Sequence, residues 1–305
     1  MKKILLALAI ISMALFGTAF AEFNDDIHVM YKEGRYDEAL DLANTVLAEK
    51  EKLYGPEDIR AADALEDVGM IYAAQGSRQE AADFYKRALV ISEKTYGVDN
   101  YRVAGASITL GDLYFNEGSN EDAEAYYRKA LAIYNRTPDK ETERLSVVLT
   151  KLAALCYLSG RYSEAESLYE EAIPVMEKAY GMDSSQISLA NDRLAELYYH
   201  HGKFAEAEKL YKRGIEMAQG THADDDPRIV APLYKLADLK AVQGKYTEAK
   251  DIYERALRTC DKTMGEDSPR AIVISNKLIE IYRKLGQDKK AAAMEKKIKD
   301  MSQTG

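Results

Sequence analysis

The stretch Gly160-Arg161-Tyr162-Ser163-Glu164-Ala165-Glu166-Ser167-Leu168-Tyr169-Glu170-Glu171-Ala172 places Ala five residues after its glycine, Tyr nine after and Ala twelve after. Those three positions fall on one stripe of an α-helix, which predicts a helix with a narrow apolar face that follows a glycine turn. The pattern is not local. Glycine recurs at Gly34, Gly76, Gly118, Gly160, Gly202, Gly244 and Gly286, always 42 residues apart, and five residues later stands Ala39, Ala81, Ala123, Ala165, Ala207, Ala249 or Ala291. Tyr85, Tyr127, Tyr169, Tyr211 and Tyr253 keep the place nine after the glycine, and Ala88, Ala130, Ala172, Gly214 and Ala256 the place twelve after.

The segment ahead of each glycine is equally regular. A small residue stands seven before it (Gly69, Gly111, Ala153, Ala195, Ala237) and an apolar one eight before it (Val68, Leu110, Leu152, Leu194, Leu236, Leu278). Each period therefore predicts two helices, A before the glycine and B after it, with the glycine in a turn that needs positive φ. The small residues let A and B approach closely, and the tyrosine fills the space they leave. Such a pair cannot bury its apolar face alone and must stack on the next pair. A chain of 305 residues is long for one globular core, and a repeat stack escapes that limit because each repeat needs only its neighbours.

The order small, Tyr, Gly, Ala, Tyr, Ala resembles the tetratricopeptide repeat. The loops repeat too, as Tyr54-Gly55-Pro56-Glu57-Asp58, Tyr96-Gly97-Val98-Asp99, Tyr180-Gly181-Met182-Asp183 and Met264-Gly265-Glu266-Asp267-Ser268-Pro269. With Tyr162 to Tyr169, these look like the 42-residue form found in kinesin light chains, and the resemblance covers nearly all of 24–301. It implies an all-α solenoid, a right-handed superhelix of six full helix pairs after a shortened first one whose helix A is Asn24 to Glu33. Ser268 before Pro269 and Asp226 before Pro227 predict N-cap and first-turn pairs. Pro174, inside a helix B, predicts a kink. Lys289, Lys290, Lys296, Lys297 and Lys299 suit a terminal repeat with a wet outer face.

The first 21 residues are different material. Lys2 and Lys3 precede an uncharged apolar run from Ile4 to Phe16, and Ala19-Phe20-Ala21 reads as a cleavage site with Glu22 as the first mature residue. This is the pattern of a secretory signal peptide, too short to span a membrane. An uncleaved N-terminal anchor is the alternative. The run has no cysteine after it for a lipid anchor. The expected organisation is a leader over 1–21 and a repeat domain over 22–305, exported to the periplasm or secreted. Loss of Lys2 and Lys3 takes the net charge from −9 to −11. An acidic chain of this kind is a poor partner for nucleic acid or an anionic membrane surface.

Catalytic and cofactor signals are weak. His200 and His201 are adjacent, point in different directions on a helix and lack a third ligand at metal spacing; His28 and His222 stand alone. Asp224-Asp225-Asp226 lacks the calcium-loop spacing and reads as a polar loop with an N-cap. Asn135-Arg136-Thr137 matches a glycosylation acceptor and carries little weight after a bacterial-looking leader. Phosphate-loop, dinucleotide and nucleophile-elbow motifs are not found. The reading is of a chain that is not an enzyme and takes no cofactor or metal. Cys156 and Cys260 lie about two and a half repeats apart, on the order of 20 Å in a stack, so two buried, reduced thiols are predicted.

The tetratricopeptide layout implies that offsets of ten, six and three before each glycine line a concave, peptide-binding groove. These are Glu66, Met70, Ala73; Ile108, Asp112, Phe115; Thr150, Ala154, Tyr157; Asp192, Glu196, Tyr199; Tyr234, Asp238, Ala241; and Asn276, Glu280, Arg283. The stripe reads as acidic, with exposed aromatics Phe115, Tyr157 and Tyr199 in register. Relatives that clamp a terminal carboxylate use Lys, Arg and Asn at these offsets, and acids stand here instead. The expected function is a non-enzymatic protein–protein adaptor, a monomer, that holds a basic or aromatic-containing segment of a partner. The competing reading is a structural element of an envelope assembly that packs end to end or laterally.

Overall fold

The computed structural model describes residues 19–136, 142–181, 184–219 and 226–304. Residues 1–18, and with them most of the expected leader, lie outside them, as do Thr137, His222, Asp224 and Asp225. Fourteen α-helices and no strand occupy the described residues: α1 (Ala19–Lys32), α2 (Tyr36–Tyr54), α3 (Ile59–Ala74), α4 (Arg78–Tyr96), α5 (Tyr101–Glu117), α6 (Asn120–Arg136), α7 (Thr142–Leu158), α8 (Tyr162–Tyr180), α9 (Ser185–His200), α10 (Phe204–Gln219), α11 (Val230–Val242), α12 (Tyr246–Met264), α13 (Pro269–Lys284) and α14 (Asp288–Thr304). A 3₁₀ turn, Pro227–Ile229, leads into α11.

The chain forms two compact units, one up to Leu155 and one from Cys156. In the first, α1 to α5 each pack on the next and α5 packs on α6; in the second, each helix from α8 to α14 packs on its successor. This is the stacked helix-pair solenoid that the 42-residue period predicts. Apolar burial drives it. Ile27, Val46, Leu65, Val68 and Ile71 are at the centre of one core, and Ile229, Val230, Leu236, Tyr253 and Ile274 of the other.

The seven register glycines all hold positive φ, from 68° at Gly286 to 82° at Gly76. The neighbouring amides then bond back to the end of helix A; Arg161 N–H, for example, donates to Cys156 O at 2.9 Å. The small residue seven before the glycine faces the ring of the same hairpin's tyrosine. A Cβ at Gly111 would come within 2.5 Å of Tyr127, and one at Gly69 within 2.9 Å of Tyr85. Side chains cap the A helices as well: Asp58 accepts from Arg60 N–H, Asn100 from Arg102 N–H, Asp226 from Arg228 N–H and Ser268 from Ala271 N–H.

Two local features stand beside these expectations. Helix α1 starts at Ala19, five residues ahead of Asn24, because Phe20 and Phe23 pack on the first core and extend it. Helix α8 runs through Pro174 to Tyr180, and Pro174 is exposed. Cys156 and Cys260 are both buried thiols that form no disulfide.

Candidate partner-binding face

The stripe predicted to bind is a face of the A helices, described one unit at a time. In the first unit it carries Glu66 and Met70 on α3, Ile108, Asp112 and Phe115 on α5, and Thr150 on α7, all half-buried. In the second it carries Tyr157 at the end of α7, Asp192, Glu196 and Tyr199 on α9, Tyr234 and Asp238 on α11, and Glu280 on α13; Glu280 is exposed and the others half-buried.

The aromatics are therefore not the exposed ladder that the register suggests. Phe115 is half-buried, and Tyr157, Tyr199 and Tyr234 each lean on a ring from their own hairpin. Tyr157 packs edge-on against Tyr162 at 5.6 Å, Tyr199 against Phe204 at 6.0 Å and Tyr234 against Tyr253 at 5.9 Å. Ring pairs at this spacing prefer tilted contacts, and each tyrosine stays half-buried.

The stripe is not simply acidic either. A row of cations nine before the glycine (Lys151, Arg193, Lys235, Lys277) runs beside it. Lys151 Nζ is 2.7 Å from Asp112, Lys235 Nζ 3.9 Å from Glu196, and Lys277 Nζ 3.9 Å from Asp238. In each case a lysine of one repeat meets the acid of the repeat before it. Arg193 adds a contact to Glu196 at 3.4 Å and lies 5.3 Å from the Tyr157 ring centre. The lysine row was visible in the sequence at the same 42-residue period; what hid its role was that the pairing runs between repeats.

The acids also serve the helix pairs. Tyr127 O–H donates to Asp112 at 2.6 Å, and Tyr253 O–H donates to Asp238. Burial, and then the bond to a carboxylate, push both phenols well above their ordinary range. Burial raises Asp192, against the pull of Lys235 and Arg193. The −4 tyrosines reach back to the preceding B helix: Tyr198 O–H donates to Glu170 at 2.7 Å and Tyr282 O–H to Glu254 at 2.8 Å.

Four predicted residues converge. Glu196, Tyr199, Tyr234 and Asp238, joined by His200, Tyr211 and Lys235, line one pocket of about 210 Å³ between α9 and α11. Rings and carboxylates around a small cavity suit a cationic group, which gains from the ring faces and from the acids together. Lys235 is the cation already at its edge. Glu66 and Asp192 face other surroundings, and Glu280 stands by a separate pocket with Asn276 and Arg283. His201 is taken up by Glu166 at 2.5 Å and His200 by an edge contact to Tyr199 at 5.4 Å, so the histidine pair shares no centre. Among the described residues no helix is long and apolar enough to cross a membrane.

Known structures repeat this architecture. BtubC (BKLC) of P. vanneervenii is similar at 22% identity and a TM-score of 0.59, over 75% of this chain and 89% of that one. A putative kinesin light chain of Podosopora anserina with nearly identical TPR-like repeats is similar at 21% identity and a TM-score of 0.56, over 66% and 96%. The C-terminal part of a TPR repeat-containing protein of Cytophaga hutchinsonii covers 92% of this chain and 96% of its own at a TM-score of 0.66 and 17% identity. Among curated proteins none matches in sequence. At these identities the likeness carries the fold alone. Family models decide more: a tetratricopeptide repeat model matches 27–94, 102–178 and 228–304, and a second one 192–228. With the glycine turns, the tyrosine-filled hairpins and these matches in agreement over most of its length, the chain belongs to the tetratricopeptide repeat family.

Proposed function

We propose that this protein is a non-enzymatic adaptor that holds a basic or aromatic-containing segment of a partner protein on its helix-A face, as a monomer, in an extracytoplasmic compartment. The carrying observation is the meeting of Glu196, Tyr199, Tyr211, Tyr234 and Asp238 around one pocket of about 210 Å³. A lysine or arginine of the partner enters there, displaces the loosely held Lys235 and lies against the tyrosine rings. The leader over 1–21 supports export, and cleavage after Ala21 leaves a repeat domain over 22–305. Cleavage also takes away Phe20, whose ring centre is 5.6 Å from Lys50 Nζ, and turns that lysine toward water.

A random heptapeptide display selection on the mature chain tests the reading. Peptides that carry Lys or Arg beside an aromatic residue are expected to dominate. The double change Tyr199→Ala with Tyr234→Ala should weaken the best peptide at least about tenfold with helicity intact, since loss of a hot-spot ring costs about 2 kcal/mol or more. Selection of peptides without basic residues, or unchanged affinity in the double variant, would remove this pocket as the site.

A further inference from the structure

The first unit carries a second pocket, of about 430 Å³, that the adaptor reading does not use. Its walls have opposite charge. Asp63 and Glu66 stand on α3; Arg102 comes from α5 and Arg144 from α7; Tyr96 and Tyr101 close the side between α4 and α5. Among the described residues neither Glu66 nor Asp63 has a hydrogen bond or an ion pair, although Glu66 is half-buried. A carboxylate so placed gives up water and gains no donor in return, which is costly unless a ligand supplies one.

Two tyrosine rings flank one of the cations. The Arg102 guanidinium lies 5.2 Å from the Tyr96 ring centre and 6.0 Å from that of Tyr101. Arg144 lies against the backbone of α5 where residue 105 is glycine: a Cβ there would be 2.8 Å from its Nη1.

A ligand with one charge suits half of such a pocket. An anion at the arginines meets Asp63 and Glu66, and a cation at the carboxylates meets Arg102 and Arg144. A molecule with both charges answers both walls, and the volume lies in the range of small-molecule sites. We propose that this pocket binds a small zwitterion of the amino-acid type, with its ammonium at Glu66 and Asp63 and its carboxylate at Arg102 and Arg144. A peptide segment with neighbouring basic and acidic side chains carries the same chemistry.

The pH dependence has a defined sign. Burial first, then Asp63 and Asp67, push Glu66 up to about 7, while Arg102 and Arg144 pull it down. Tyr85 faces it from α4, and Asp67 is itself met by Lys50 and His28. As pH falls through 7, Glu66 takes a proton and loses its hold on an ammonium, so a zwitterion binds more weakly. A simple anion would bind more tightly.

Calorimetric titration of the full chain at pH 8 tests this with L-leucine, γ-aminobutyrate and the capped peptide acetyl-Ala-Lys-Glu-Ala-amide as zwitterionic probes. Isocaproate and isoamylamine are the single-charge controls. At least one zwitterion should bind about tenfold more tightly than both controls, each lost charge contact being worth about that factor. The probe that wins separates a free small molecule from a peptide segment. Glu66→Gln and Arg144→Gln should each weaken it about tenfold, Glu121→Gln should not, and affinity should fall from pH 8 to pH 6. Isocaproate binding as well as the zwitterions, tighter binding at pH 6, or no effect of Glu66→Gln would overturn the proposal. Glu66→Gln carries the test alone if Arg144→Gln does not fold.

Discussion

A carboxyl group that keeps its proton into the neutral range leaves a mark on stability. Glu66 rises from 4.5 to about 7 in the folded chain. Between those values the folded state binds more protons than the unfolded one, so stability falls as pH rises, and the whole of that loss is present above about 7. Glu66→Gln should therefore raise the melting temperature by several degrees at pH 8, equivalent to roughly 1–3 kcal/mol, and change little at pH 4.5. Scanning calorimetry of both chains at the two pH values checks it; equal shifts at both would assign the effect to packing. The sequence placed Glu66 on the right face of helix A through its offset alone. It could not show the missing partner, because that depends on where Arg144, two repeats further on, comes to lie. Tyr157 and Tyr199 teach the same lesson. Their register was readable, whereas their half-burial comes from Tyr162 and Phe204, each at the start of the following B helix.

The hairpin was the most legible element, because its rules act within one period. Glycine at the turn, a small residue seven before it and tyrosine nine after it are steric statements, and the helices obey them. Gly111 shows how tight the fit is: alanine there would put its Cβ 2.5 Å from the Tyr127 ring, far inside contact distance. Ala153, Ala195 and Ala237 occupy the same offset in later repeats, so the chain accommodates alanine where the hairpin has been built around it. Gly111→Ala should destabilise by about 1–3 kcal/mol with helicity retained, the ordinary cost of overpacking a core. Urea melts followed by far-UV circular dichroism would show it; an unchanged midpoint would mean that α5 and α6 can spread freely. Pro174 marks the limit of element-level rules. The local rule predicts a kink at Pro174; α8 runs through it to Tyr180, with the proline on an exposed face.

At the scale of the molecule, the chain forms two compact units divided after Leu155, and within each unit contacts run between successive helices. Stability in such a stack is close to a sum of local terms, so a change in one part need not be felt throughout. Both cysteines belong to the second unit, and both are buried thiols outside any disulfide. Labelling of Cys260 in urea therefore reports on that unit alone. Gly111→Ala is expected to lower the first part of the circular dichroism transition and leave the Cys260 labelling midpoint in place; equal displacement of both would show that the units unfold together. The tyrosine-filled hairpin has one more consequence. Because Tyr85 answers Gly69 and Tyr127 answers Gly111 inside the same helix pair, the closest steric fit in each repeat is self-contained. A 42-residue cassette can then be duplicated, deleted or transplanted with that fit intact, and only the faces shared with its new neighbours have to be re-matched. Lengthening or shortening such a chain by whole periods is an easier route to new binding surfaces than altering any single hairpin from within.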